Sequence, residues 1–97
     1  MSNLKDEQFS DQHLVTAVLN GDRNAFGLII KKTEGLVAQM TFKMIIIPGD
    51  RKDVAQDIYL RAFKNLSGFK FQSKLSTWIG QIAYNTIVDP ILRTRMI

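Results

Sequence analysis

Residues 50–66 read Asp50-Arg51-Lys52-Asp53-Val54-Ala55-Gln56-Asp57-Ile58-Tyr59-Leu60-Arg61-Ala62-Phe63-Lys64-Asn65-Leu66. At about 100° per residue, Ala55, Ile58, Tyr59, Ala62 and Leu66 gather on one side, which predicts a helix from about Arg51 to Leu66 packed by that side into a core. Asp50 is the expected cap, and Asp50 and Asp53 sit near the positive end of the helix dipole, which favours them. The opposite side carries Asp53, Gln56, Asp57, Leu60 and Lys64, with Arg61 at its edge. A purely solvated face has no need of Leu60, whereas an apolar anchor ringed by polar groups suits a docking surface. An ordinary solvated face with one stray leucine gives the same pattern.

Outward from this segment the chain reads as helices throughout, with no convincing strand. Toward the N-terminus, Asp22 caps a helix running to about Ile45. Its stripe is Phe26, Ile29, Ile30, Thr33, Val37, Met40, Thr41 and Met44, with Lys31, Lys32, Gln39 and Lys43 opposite. Ile45-Ile46-Ile47 is read as the helix end running into the turn at Pro48-Gly49. A shorter helix is expected from Asp11 to Asn20, capped by Ser10 and stopped by Gly21. Residues 1–10 read as a polar tail and 11–97 as one helical domain. Toward the C-terminus, Ser67-Gly68 breaks the central helix. A loop from Phe69 to Leu75 follows, then a helix from Ser76 or Thr77 to at least Val88 with a kink or restart at Asp89-Pro90. The expected fold class is all-α: a compact bundle of about four helices.

The last helix is two-sided as well. Trp78, Ile79, Ile82, Ala83, Thr86 and Ile87 form an apolar arc; Gln81, Tyr84, Asn85 and Val88 form the other. Hydrogen-bonding and stacking side chains of that second kind suit bases and sugars. Lys70 and Lys74 in the loop, with Arg93 and Arg95 beyond, could meet phosphate. Phe69 and Trp78 are expected to be core residues pinning the loop, and Phe71 to be exposed.

Composition agrees with a binding module. The 97 residues carry a net charge of +4, unevenly spread: residues 1–50 hold five basic and six acidic side chains, residues 51–97 eight basic and three acidic. A basic C-terminal half suggests a polyanionic partner such as nucleic acid, though a lopsided soluble surface gives the same tally. Without cysteine, disulfides and thiolate metal sites are excluded. No apolar run approaches the roughly 20 residues of a membrane span, and the first residues do not form a secretory signal. His13 is the lone histidine and has no nucleophile or ligand partner at a telling spacing. Asp53 and Asp57 lie one turn apart, but nothing else supports a metal there, and no glycine-rich phosphate loop appears. No cofactor, metal or catalytic residue is expected.

Four stretches together resemble the sigma-factor family of bacterial RNA polymerase, most closely its compact extracytoplasmic-function (ECF) group. They are Leu14-Val15 with Gly21-Asp22 and Ala25-Phe26; Asp53 to Phe63; Phe69 through Ser76-Thr77-Trp78; and Ile82 to Asp89. The resemblance spans about residues 11–93 and is to the family's second conserved region. It implies that Asp53, Gln56, Asp57, Leu60 and Arg61 dock on the coiled coil of the polymerase β′ subunit. It implies that the loop residues Lys70, Phe71, Gln72, Ser73 and Lys74, with Ser76, capture a flipped base of the non-template strand in the minus-ten promoter element. Gln81, Tyr84, Asn85 and Arg93 would contact the same element. It further implies an anti-sigma factor as a partner and a cytoplasmic location. The alternative is a protein-interaction module that binds polymerase or an anti-sigma factor without touching DNA.

The sequence also departs from the family. Phe71, Gln72 and Lys74 stand where the loop often has small or acidic residues, so promoter preference does not transfer. Pro90 and Leu92 replace residues that usually continue a basic helix. The family's second domain, which reads the minus-thirty-five element, is missing from the sequence, so the chain reads as an isolated domain or a truncated piece.

Overall fold

The structure, a computed structural model, describes residues 10–89, which form four α-helices and one short 3-10 helix. The helices are α1 (Asp11–Leu19), α2 (Arg23–Met44), α3 (Pro48–Asn65) and α4 (Leu75–Ile87), with the 3-10 turn Leu66–Gly68 following α3. The all-α bundle read from the sequence is the observed architecture. The expected tail over residues 1–9, the kink at Pro90 and the side chains of Arg93 and Arg95 lie outside the described residues.

Capping chemistry sets the first two helices. The Ser10 hydroxyl accepts the His13 N–H at 3.2 Å, and Gly21 takes a φ of +98°, the left-handed conformation that glycine reaches at little cost. Asp22 Oδ1 accepts from the N–H groups of Asn24 and Ala25 at 3.0 and 3.3 Å. Asp22→Ala is expected to lower stability by about 1 kcal/mol, the usual worth of such a cap, as read by thermal or urea unfolding.

The α2–α3 junction differs from the expectation. α2 ends at Met44, and Ile45 is already extended (φ −114°, ψ 116°). α3 then starts at Pro48, so Pro48-Gly49 opens a helix where it was expected to end one, and Asp50 lies within the first turn without capping it. Proline explains the shift: at N1 its ring presets φ, and the N–H it lacks would have had no helical partner anyway. Arg51 secures the junction by donating its Nε–H to the Ile45 carbonyl at 2.9 Å.

α2 is the central strut, packed against α1, α3 and α4, while α4 also packs against α3. Ile29 and Val37 of α2, Ile58 and Ala62 of α3, and Leu75, Ile79 and Ala83 of α4 form a shared core with Leu14, Val15 and Val18 of α1. Val54 is fully buried too. The buried side of α3 therefore centres on Val54, Ile58 and Ala62, leaving Ala55 and Tyr59 half-exposed at its border. Three threonines enter the core with their hydroxyls satisfied by carbonyls of the preceding turn: Thr33 to Ile29 at 2.8 Å, Thr41 to Ala38 at 3.0 Å and Thr86 to Ile82 at 2.7 Å. Among the described residues no buried side-chain nitrogen or oxygen lacks a partner, as expected of a well-formed interior.

Candidate functional site

The helical frame presents two separate surfaces. The first is the outer side of α3. Asp53, Gln56 and Leu60 are exposed, and Asp57 and Arg61 are half-exposed. Leu60 leaves 56% of its surface to solvent, pointing away from the core as the helical spacing predicts. Arg61 is committed elsewhere: its Nη2 lies 2.8 Å from Asp89 Oδ2. That pair ties the C-terminal part of α3 to the residue just past the end of α4, a role its place at the edge of the helix did not suggest.

The sequence reading missed what lies on the other flank of Leu60. Between α2 and α3 runs an open apolar groove of about 1070 Å³ whose walls include Phe26, Phe42, Arg51, Ala55, Leu60 and Phe63. Phe42 is 68% and Phe63 51% exposed. Phe26 meets Phe63 edge-on with ring centres 5.1 Å apart, and the Arg51 guanidinium sits 4.6 Å over the Phe42 ring, a cation–π pairing. Tyr59 anchors the floor through its hydroxyl, 2.9 Å from Thr33 Oγ1. Burial pushes the Tyr59 phenol up from its ordinary value, against the pull of the Thr33 bond. The available signal was the run Ala55, Tyr59, Phe63 at i, i+4, i+8. It lies one step round the helix from Gln56 and Leu60, so the two rows make one apolar-to-polar margin.

The second surface is the loop between the 3-10 turn and α4. Phe69 is buried and closes the turn by donating its N–H to the Leu66 carbonyl at 3.0 Å. Its ring contacts Trp78 at 5.3 Å and Phe71 at 4.7 Å between centroids, the pairs tilted by 51° and 55° rather than stacked. Phe69 is a core residue as expected, Trp78 is only half-buried against that core where full burial was expected, and Phe71 is 48% exposed. Phe71 has a φ of +58°. Aromatic residues seldom adopt that left-handed conformation, which costs of order 1 kcal/mol unless the surroundings hold it. Lys70, Gln72, Ser73 and Lys74 are exposed around it and Ser76 half-exposed. α4 begins at Leu75, one or two residues before the start expected at Ser76 or Thr77. Gln81, Tyr84 and Asn85 continue the exposed surface along α4. Arg93 falls outside the described residues.

Neither surface assembles a nucleophile with a base. Among the described residues no group of three His, Cys, Asp or Glu could hold a metal ion, and no helix is long and apolar enough to cross a membrane. What the surfaces offer is binding: an apolar anchor in an acidic and amide setting on α3, and stacking rings among ammonium groups on the loop.

Comparison with known proteins agrees. Residues 29–96 match the Sigma-70 region 2 family. The ECF RNA polymerase sigma-E factor of Escherichia coli K12 is 36% identical over 80 residues, covering 82% of this chain and 41% of the relative. The Haemophilus influenzae protein of the same name is 34% identical over 80 residues, covering 82% and 42%. The chain thus spans about two-fifths of the length of these curated relatives. A solved structure of an engineered region 2 of sigmaE in complex with GTAAAA superimposes with a TM-score of 0.79 at 34% identity, covering 98% of this chain and 95% of that one. These relatives carry the ECF sigma-E name, and the chain itself belongs to the Sigma-70 region 2 family.

Proposed function

We propose that this chain binds core RNA polymerase through the outer side of α3 and reads the single-stranded non-template strand of a minus-ten promoter element with the 69–76 loop and the exposed face of α4. The observation that carries the reading is the non-helical loop whose exposed aromatic, Phe71, leans on buried Phe69, itself against half-buried Trp78, among exposed lysines. The exposed Phe71 ring offers a face on which an extruded base can stack, and Lys70 and Lys74 supply charge for its phosphates. The sigmaE region 2 neighbour in complex with GTAAAA supports the assignment. Gln81, Tyr84 and Asn85 extend the contact along the strand. The chain acts by binding alone: strand opening follows from greater affinity for the open strand than for the duplex, with no covalent step.

On the polymerase side, Asp53, Gln56, Asp57 and Leu60 meet the β′ coiled coil. Arg61 contributes less directly, since its guanidinium is engaged by Asp89. The setting is cytoplasmic, with the polymerase, and an anti-sigma factor is a further partner on the family resemblance.

The test is a fluorescent single-stranded GTAAAA oligonucleotide titrated with the chain, followed by strand opening on promoter DNA with core polymerase. Lys70→Ala combined with Lys74→Ala is expected to weaken binding and to flatten its dependence on log salt by about 1.4, since each neutralised single-strand phosphate contributes about 0.7. An unchanged affinity and salt slope would remove the loop from the DNA interface.

A further inference from the structure

α4 begins without a cap of its own. Its N-cap position is Lys74, whose side chain makes no capping bond because an ammonium cannot accept one. The missing acceptor comes from the far end of the chain: Asp11 Oδ2 accepts the Leu75 N–H at 2.9 Å, across 64 residues of sequence. The other carboxylate oxygen of Asp11, Oδ1, lies 2.7 Å from Lys32 Nζ on α2. Asp11 thus joins three helices at one point, and that point is where the loop ends. The loop's other end is fixed by buried Phe69, and residues 70–74 between the two anchors are exposed throughout.

We infer that Asp11 is a positioning residue for promoter reading: by holding the Leu75 amide from α1, it fixes where the loop leaves the bundle and so how Phe71 and the loop lysines are presented to the strand. The inference rests on the loop reading proposed above. Partial burial opposes the charge on Asp11. The Leu75 amide, the Lys32 ammonium and, at longer range, Lys74 outweigh that penalty and hold the carboxyl below its ordinary value. At neutral pH it is ionised, and a charged acceptor makes the stronger bond to an amide.

The inference has a sign that simple electrostatics does not share. Asp11 is an acid beside two lysines on a surface meant for DNA. If its charge were all that mattered, removing it would tighten binding to every sequence alike. As a pin, its removal frees the loop and loosens the sequence-specific complex, since an ordered binding element that becomes mobile must be re-ordered on binding.

The full 97-residue chain is compared with Asp11→Ala and Asp11→Asn. The asparagine variant loses the charge but keeps an oxygen that can accept the Leu75 N–H. Asp11→Ala is expected to speed hydrogen exchange at the Leu75 amide and to lower the ratio of affinities for single-stranded GTAAAA and a scrambled hexamer, each by on the order of tenfold. Asp11→Asn is expected to keep most of that ratio. Thermal unfolding and exchange in the middle of α2 check that the bundle itself is unchanged. The pin is overturned if Leu75 exchanges in Asp11→Ala as in the parent, or if both variants bind both hexamers more tightly with the ratio intact. If the parent itself fails to distinguish the two hexamers, the DNA reading falls, and the exchange at Leu75 alone then decides whether Asp11 holds the loop.

Discussion

Leu60→Asp is expected to weaken binding to core RNA polymerase by about thirtyfold or more while leaving the fold intact, because an apolar anchor in the middle of an interface carries at least about 2 kcal/mol. The fold survives because Leu60 points away from the core: more than half of it is exposed, and the buried side of α3 is held by Val54, Ile58 and Ala62. Substitutions at such surface positions usually shift stability by no more than about 0.5 kcal/mol. The same residue forms a wall of the α2–α3 groove, so aspartate there puts a charge at the margin where a partner's apolar side chains would lie, and that charge must be desolvated on docking. Lys64→Ala, on the same exposed flank but outside the groove, serves as the control and is expected to change affinity little. Fluorescence anisotropy of the labelled chain against core polymerase measures both. A Leu60→Asp chain that is folded and binds core as the parent does would show that the outer side of α3 is not the docking surface.

The periodicity of residues 50–66 was enough to place Leu60 outward and Ile58 inward, and alternation between apolar and polar arcs did the same for Ile79 and Gln81 on α4. Those readings depend only on helical geometry, which is local. What escaped them depends on groups brought together from distant parts of the chain. Pro48-Gly49 carries the chemistry of both a stop and a start; the start is taken with proline at N1, and the Arg51 bond to the Ile45 carbonyl secures it. Phe42 and Phe63 fall outside the apolar sides read for their own helices. They become groove walls because α2 and α3 leave a gap that neither sequence segment encodes alone. The capping of α4 was beyond local reading in the same way, since the residue before Leu75 is a lysine and the acceptor belongs to the first turn of α1. Arg61 was placed by its position on the helix, but its guanidinium answers to Asp89, 28 residues further on.

Phe71→Gly is expected to cut affinity for single-stranded GTAAAA by on the order of tenfold, because an aromatic ring that stacks a base contributes about 1–3 kcal/mol. The stability of the free chain should hardly change, and the reason is the backbone. Phe71 sits at a φ of +58°, where a side chain costs about 1 kcal/mol and glycine almost nothing. Losing the ring forfeits its packing on Phe69, a pair worth about 0.5–1.5 kcal/mol, so strain relief and lost packing nearly cancel. Phe71→Ala separates the two terms. Alanine also lacks the ring but keeps the side-chain penalty, so it should lose as much DNA affinity as glycine and be less stable than glycine by about 1 kcal/mol. Urea unfolding of both variants alongside oligonucleotide titrations distinguishes the cases. Equal stability for alanine and glycine would mean that the loop does not hold residue 71 in the left-handed conformation. Full DNA affinity in both variants would mean that no base stacks on the ring, leaving Phe71 as a cover over Phe69 and Trp78. An equal loss of affinity in glycine and alanine, whose stabilities differ, is the outcome that a purely structural role for Phe71 does not predict, since affinity would then follow stability.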